Sequence, residues 1–360
     1  MKIIDVKTTW LSLPLKSPLA DSTHVLDRIE WILVDVLTDD GHTGHAHMLT
    51  FDYGPELLKG IVDTELKERV VGQNPLLIEK VRETCLKQVE YIGHSGVAAW
   101  GVAAIDIALW DILGKHLNSP VAFLLGAYRD SVPIYGSGGW LSYSMDQLLA
   151  EVTSYRQRGF KGVKMKVGSG NMKQDVERVR AVRKAIGDDL IMMVDANQGW
   201  NPYEARQFYA QIRDCNLFWF EEPIPKDDWD GYSKLAIAID IPLATGEREY
   251  SLTNFREMLT RQAAAVIQPD ALRIGGITQW MKLARLCEAF GVRVASHFYK
   301  EIDVHCLAAC PNGLFLEYFP WLDDLLVHPL EISAGIAKVP SRPGLGIEIK
   351  PEAIKEFRVA

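Results

Sequence analysis

The 360-residue chain is short of several things, and each shortage excludes a class of function. Long hydrophobic runs are missing: no apolar stretch is read as approaching the roughly 20 residues that a bilayer span needs. The N-terminal MKIIDVKTTW has no apolar segment followed by a small-residue cleavage site, so no secretory signal is expected. Cysteine is scarce: Cys85, Cys215, Cys287, Cys306 and Cys310 make an odd, scattered set. In a chain large enough to bury its own core, that set implies reduced thiols and a cytoplasmic setting. Basic charge is in deficit, with 39 Lys and Arg against 47 Asp and Glu and a formal net charge of −8. Nucleic acid and membrane are therefore not expected partners, whereas a small anionic substrate in a locally basic pocket is compatible with it. No G-x-G-x-x-G follows the first strand of the repeating region, which argues against a dinucleotide site.

What is present is a change of rhythm along the chain. Residues 1–50 alternate as strands around an Asp-Asp-Gly turn, and residues from about 54 to 125 shift to helical spacing, notably in VAAWGVAAIDIALWDILGKHL. That predicts an N-terminal α+β capping domain over 1–125. From 126 to 330 strand, turn and helix repeat: VPIYGSG, GVKMKVG, LIMMVDAN, LFWFEEP, IPLATGE, AAVIQPD, VRVASHF and LFLEYF are the strand candidates. The fold class is α/β, and the repeat suggests a closed barrel rather than an open sheet. Residues 331–360, with PSRPGLGIEIKPEAIKEF, read as a turn, strand and short helix returning to the capping domain. A homo-oligomer is expected of such a chain.

The ends of these strands carry the chemistry. A parallel barrel builds its active site at the C-terminal ends of its strands, where inward positions normally hold branched apolar residues. Here they hold Lys164 and Lys166, then Asp195 with Asn197, Glu221, Glu247, Asp270, His297 and Glu317, one strand after another. Asp195, Glu221 and Glu247 come from consecutive strands and should converge. Three shielded carboxylates repel unless a cation neutralises them, and an all-oxygen set favours Mg²⁺ over Zn²⁺. Glu222 has the opposite parity and is expected to face the helices or a loop. Lys164 and Lys166 share a strand face, so each should depress the other's pKa toward that of a general base, with phosphate clamping as the competing reading. Asp270 can fix the His297 tautomer, giving a second acid/base group. A protonated Glu317 could donate to an enolate oxygen if its pKa were raised. GHTGHAH reads as a hairpin with exposed imidazoles (His42, His45, His47) rather than a metal site, with His47 able to approach a pocket near Tyr53.

Taken together, Lys164-Met-Lys166, Asp195-Ala-Asn197, Glu221-Glu-Pro, Gly246-Glu247, Gln268-Pro-Asp270, Ser296-His297 and Leu316-Glu317 resemble the enolase superfamily, mandelate racemase subgroup. The resemblance spans essentially the whole chain. It implies a (β/α)7β modified TIM barrel beneath the capping domain, with Mg²⁺ on Asp195, Glu221 and Glu247. It also implies Lys166 as base for one face of the substrate and the His297–Asp270 dyad for the other. Lys164 would contact the substrate carboxylate, Glu317 would be the electrophilic donor, and Asn197 and Ser137 would be supporting contacts. In this family the far end of the substrate meets loops near residues 18–30 and 50–55, making His24 and Tyr53 the candidate contacts there. The loop SPLADSTHVLDR is polar where mandelate racemase is apolar, which suits a hydroxyl-rich substrate, and SHFYKEIDVH and EYFPWLDDLL resemble the acid-sugar dehydratase branch. Lys300 and Arg248 have no counterpart that the resemblance explains; either could bind a second carboxylate. The expected reaction is removal of the α-proton of a small-molecule carboxylate to give an enediolate. Dehydration to a 2-keto-3-deoxy acid leads, racemisation or epimerisation of a 2-hydroxy acid is the runner-up, and a Schiff-base aldolase or a non-catalytic binding barrel come from other classes.

Overall fold

A computed structural model describes residues 1–359. Three antiparallel strands open the chain, β1 (Ile3–Ala20), β2 (Val25–Thr38) and β3 (Thr43–Thr50), in the order β1-β2-β3. Central β2 is buried without interruption from Ile29 to Val34, after a start at which Val25, Asp27 and Arg28 are exposed. The helix Val97–His116 lies on β3 so closely that a Cβ added to Gly44 would stand 2.1 Å from the Ala108 carbonyl oxygen. That helix is, among the described residues, long and apolar enough to cross a membrane, contrary to the reading that no such run exists. It is mostly buried, so its apolarity is that of a core helix.

The barrel follows as β4 (Ser131–Gly138), β5 (Gly162–Lys166), β6 (Ile191–Asp195), β7 (Trp219–Glu221), β8 (Leu243–Thr245), β9 (Val266–Ile267), β10 (Arg293–Val294) and β11 (Leu316–Tyr318). Neighbours pair in parallel from β4 to β10, and β11 closes the ring on β4 with Glu317 opposite Tyr135. Tyr135, Met193, Trp219, Ala244, Val266, Ala295 and Phe315 fill the interior below the mouth. This apolar plug makes the barrel a packed core and confines charged inward positions to the strand ends above it.

The tail differs from its expected form. β12 (Ile332–Ser333) and β13 (Ile336–Lys338) form a hairpin that adds to barrel strand β4, with Ala337 opposite Val132. Only beyond it does the chain reach the capping strands: the Val359 amide donates to the Trp10 carbonyl at 2.9 Å. GLGIEI forms isolated bridges at Gly344 and Ile349, not a strand. All five cysteines are free and buried.

His305 ties three of these parts together. Its Nδ1 accepts from the Ala122 amide at 3.2 Å and its Nε2 donates to the Leu345 carbonyl at 3.1 Å, all fully buried. Replacing it with Phe leaves two buried backbone groups unpaired, so urea unfolding at pH 7 should show a loss of about 2–4 kcal/mol. Burial pushes the His305 imidazole down to about 4, and does the same to His47, wedged between Trp31 and Tyr299. Each binds a proton more readily unfolded than folded, so each contributes stability above about pH 6.5 that is lost as pH falls toward 4. Between pH 7 and pH 5 that is about 2 kcal/mol per histidine. His47→Phe, which keeps the ring stacking, should reduce the stability difference between those two pH values by about that amount. An unchanged pH dependence would refute the assignment.

Candidate active site

The mouth of the barrel collects the charged strand ends in one cavity of about 200 Å³, which suits a small acid and excludes a folded partner. Carboxylate oxygens of Asp195, Glu221 and Glu247 lie within 4.8 Å of one another, all three side chains buried. Glu247 enters the mouth because Gly246 adopts φ +124°, a turn at which a Cβ would press on Phe255. Trp219 Nε1 and Gln268 Nε2 donate to Glu221 at 2.9 and 2.8 Å. Burial and the neighbouring carboxylates push Glu221 up to about 8 despite Lys164 beside it. A buried all-oxygen cluster of three carboxylates fits a hard divalent cation such as Mg²⁺.

Lys164 and Lys166 project from β5 into this cluster. Lys164 bonds Glu221 and stands 2.8 Å from Glu317; Lys166 Nζ lies 2.6 Å from Asp195 Oδ2. The expected depression of both lysines is not what the structure shows. Burial pulls them down, but Glu221 and Glu317 around Lys164, and Asp195 beside Lys166, outweigh it and hold both above the usual lysine value. The sequence argument counted the neighbouring ammonium and left out the carboxylates that pair with each. Glu317 is corrected in the same way. Burial favours its neutral form, yet Lys164 dominates and holds it below the usual carboxylate range, while the Phe298 amide donates to it at 2.8 Å.

His297 Nδ1 meets Asp270 at 2.9 Å, and Asp270 is itself fixed by the amides of Leu272 and Arg273. The His297 Nε2 therefore faces the cavity, 3.5 Å from Glu247. Burial alone would lower the imidazole, but Glu247 and Asp270 prevail and hold it above its ordinary value. Lys166 thus lies at the Asp195 end of the carboxylate cluster and His297 at the Glu247 end.

Asn197 lines the cavity at φ +43° with its Oδ1 unpartnered, and His24 and Tyr53 line it from the capping domain, 6.0 Å apart. Ser137 is the exception. It is buried on β4 opposite Lys164 and does not reach the cavity wall. Of the polar loop, Asp21 and His24 face inward, whereas the Ser22 hydroxyl donates to the Ala196 carbonyl at 2.6 Å and holds the loop to the barrel. The cavity also has an apolar wall (Leu26, Phe51, Trp140, Phe298, Phe319 and Trp321) that no polar-loop reading foresaw. Trp140 was visible only as the aromatic after the Gly138-Gly139 pair ending β4.

Glu222, expected to face the helices or a loop, stays out of the cavity wall and meets the loop after β8. At φ +37° it turns back, fully buried, to accept from Arg248 Nε at 3.0 Å. Arg248 lines the cavity, whereas Lys300 lies outside it, buried against Glu301 and Asp323 at 2.6 and 2.9 Å. The three histidines of GHTGHAH part company. His47 is buried and remains outside the Tyr53-lined cavity, His45 pairs with Asp35 at 2.7 Å, and His42 stands at the surface within 4.8 Å of Asp40 and His116.

Capping sheet, closed barrel and buried carboxylate cluster define a capped-barrel enzyme whose mouth suits a hard cation. Comparison with known proteins narrows the class. Residues 3–126 match the N-terminal domain of mandelate racemase and muconate lactonizing enzyme, and residues 147–353 match the enolase C-terminal domain-like family. The L-talarate/galactarate dehydratase of Salmonella typhimurium is 36% identical over 355 residues, covering 97% of this chain and 89% of that one. Its crystal structure with Mg and L-lyxarohydroxamate superposes with a TM-score of 0.95 at 34% identity, covering 100% of this chain and 93% of the other. A racemase from Streptomyces coelicolor with bound magnesium gives 0.96 at 32% identity, covering 99% and 100%. The chain belongs to the mandelate racemase/muconate lactonizing enzyme family of the enolase superfamily.

Proposed function

We propose that this protein dehydrates an acid sugar to a 2-keto-3-deoxy acid, with Mg²⁺ held by Asp195, Glu221 and Glu247. The observation that carries the reading is the placement of Lys166 and His297 at opposite ends of the buried carboxylate cluster. Bound Mg²⁺ supplies a Lewis acid that lowers the acidity barrier of the substrate carboxylate's α-carbon. Lys164, held at 2.8 Å by the ionised Glu317, orients that carboxylate and donates to a developing enediolate oxygen. Lys166 takes the α-proton in its neutral form, which a cation on Asp195 would favour by neutralising the carboxylate that holds the ammonium in the metal-free chain. His297, its proton held by the charges of Asp270 and Glu247, gives that proton to the departing β-hydroxyl. Loss of water leaves an enol that tautomerises to the keto acid. Asn197, His24 and Tyr53 contact the hydroxyl-bearing chain, and Asp21 adds a further acceptor there. Ser137, in register with Lys164 on the adjacent strand and with its hydroxyl unpartnered, would not touch substrate.

Incubating the Mg²⁺-loaded enzyme with a panel of aldonates and aldarates should yield an α-keto acid from at least one. No keto product from any of them would sink the reading. A second reading, racemisation of a 2-hydroxy acid, is favoured by the apolar wall of Leu26, Phe51, Trp140, Phe298, Phe319 and Trp321. It would be recognised by solvent deuterium entering the α-carbon without water loss. A Schiff-base aldolase would be recognised by borohydride trapping on Lys164 or Lys166 in the presence of chelator; on the present reading EDTA should abolish activity, and borohydride should trap nothing. The buried free thiols support a cytoplasmic setting, and exposed Tyr91, Ile92, Phe123 and Tyr128 support a homo-oligomer.

A further inference from the structure

We propose that Arg248 anchors a second carboxylate, making the preferred substrate a short diacid (an aldarate) over the corresponding aldonate. The inference rests on the acid-sugar reading and adds the identity of the substrate's far end. Arg248 follows Glu247 directly, and its partly exposed side chain forms part of the cavity wall. Its Nε donates to Glu222 at 3.0 Å, and among the described residues neither Nη nitrogen has a hydrogen-bond partner. A guanidinium offers five N–H donors in one plane, so a bond through Nε alone leaves the terminal pair free and stops the plane from rotating. That is the arrangement a bidentate carboxylate contact needs.

The other cations of the cavity are already committed. Lys164 is held by Glu221 and Glu317, Lys166 by Asp195, and Arg273 Nη1 donates to the Glu247 carbonyl at 3.0 Å. Burying a Glu222–Arg248 pair beside an active site is also a costly way to build a wall, since well-packed hydrocarbon stabilises as well or better. Hydrocarbon cannot present an oriented, partly solvated cation to the cavity. Arg248 Nε, 3.6 Å from Glu247 Oε1, is the guanidinium nitrogen nearest the carboxylate cluster, so the free terminal pair lies on its far side. A carboxylate on the terminal pair and another at the cluster would share one cavity of about 200 Å³, which limits the substrate to a short diacid.

The test compares wild-type and Arg248→Met enzymes, Mg²⁺-loaded, on aldarates and aldonates of matched configuration. The ratio of kcat/KM for aldarate over aldonate should fall about 100-fold, mostly through KM. Arg248→Lys should recover only part of it, because a point charge lacks the fork. Equal losses on both substrates together with a lower Tm would overturn the proposal and leave Arg248 as a counter-ion to Glu222. Binding of tartrate and glycerate, measured by calorimetry, separates this inference from the reaction itself. If no sugar acid is dehydrated but tartrate binds more tightly than glycerate and loses that advantage in Arg248→Met, the diacid site stands without the dehydratase. If wild-type enzyme shows no preference for tartrate and none for aldarates, the diacid site is refuted.

Discussion

Lys166→Met is expected to lower turnover to keto acid by about 10³–10⁴-fold with little change in KM, and to abolish exchange of the substrate α-proton with solvent. His297→Asn should lower turnover by about 10²–10⁴-fold while leaving that exchange measurable. The asymmetry follows from the two ends of the carboxylate cluster. Lys166 reaches it beside Asp195 and His297 beside Glu247, so one group can take the α-proton while the other serves the leaving hydroxyl. Without Lys166 no enediolate forms and nothing exchanges. Without His297 the enediolate still forms and returns its proton, but water departs unassisted. Deuterium incorporation followed by NMR, alongside keto-acid assays, reads both variants. Exchange surviving in Lys166→Met and vanishing in His297→Asn would reverse the two assignments. Exchange surviving in both would mean that the two bases act on opposite faces independently, as a racemase requires.

The strand ends were legible because a closed parallel barrel leaves few reasons for ionisable inward residues. The placement of Lys164, Lys166, Asp195, Glu221, Glu247, Asp270, His297 and Glu317 around one cavity follows from that constraint. Their protonation was not legible. The lysine pair read as mutually repelling, yet each ammonium contacts a carboxylate from another strand, and the ion pairs outweigh both burial and repulsion. Glu247 faces the cavity as expected although it follows Gly246 at φ +124°, outside β8, whereas Glu222 at φ +37° stays out of the cavity wall and pairs with Arg248, a partner that strand parity does not reveal. The apolar wall of the cavity was hidden for a different reason. Leu26, Phe51, Trp140 and Trp321 come from four distant segments, and no local pattern marks aromatic rings that meet only in the folded chain.

The buried carboxylate cluster should make the metal-free protein respond to Mg²⁺ by a rise in Tm, and Glu247→Gln should remove that response together with activity. Asp195, Glu221 and Glu247 crowd their oxygens within 4.8 Å, and Lys164 and Lys166 pair with the first two but not with Glu247. The nearest cationic groups to Glu247 are His297 at 3.5 Å and Arg248 at 3.6 Å, the latter already shared with Glu222. Glu247 is therefore the member of the cluster without a lysine partner. Neutralising it relieves repulsion in the metal-free state, so Glu247→Gln without Mg²⁺ should be as stable as wild type or more so. Binding that is specific to the folded state stabilises by about 2.7 kcal/mol at 100 times Kd, which for a chain of this size is a Tm rise of a few degrees. The variant should show little of that rise at the same Mg²⁺ concentration, and its turnover should fall by about 10³-fold or more, because an amide oxygen carries no net charge toward a hard cation. A Glu247→Gln protein that is less stable without Mg²⁺, yet still stabilised by it and active, would place the cation elsewhere. Opposite changes in metal-free stability and in activity are what distinguish a cluster kept for cation binding from one kept for folding, because a folding cluster would lose both together.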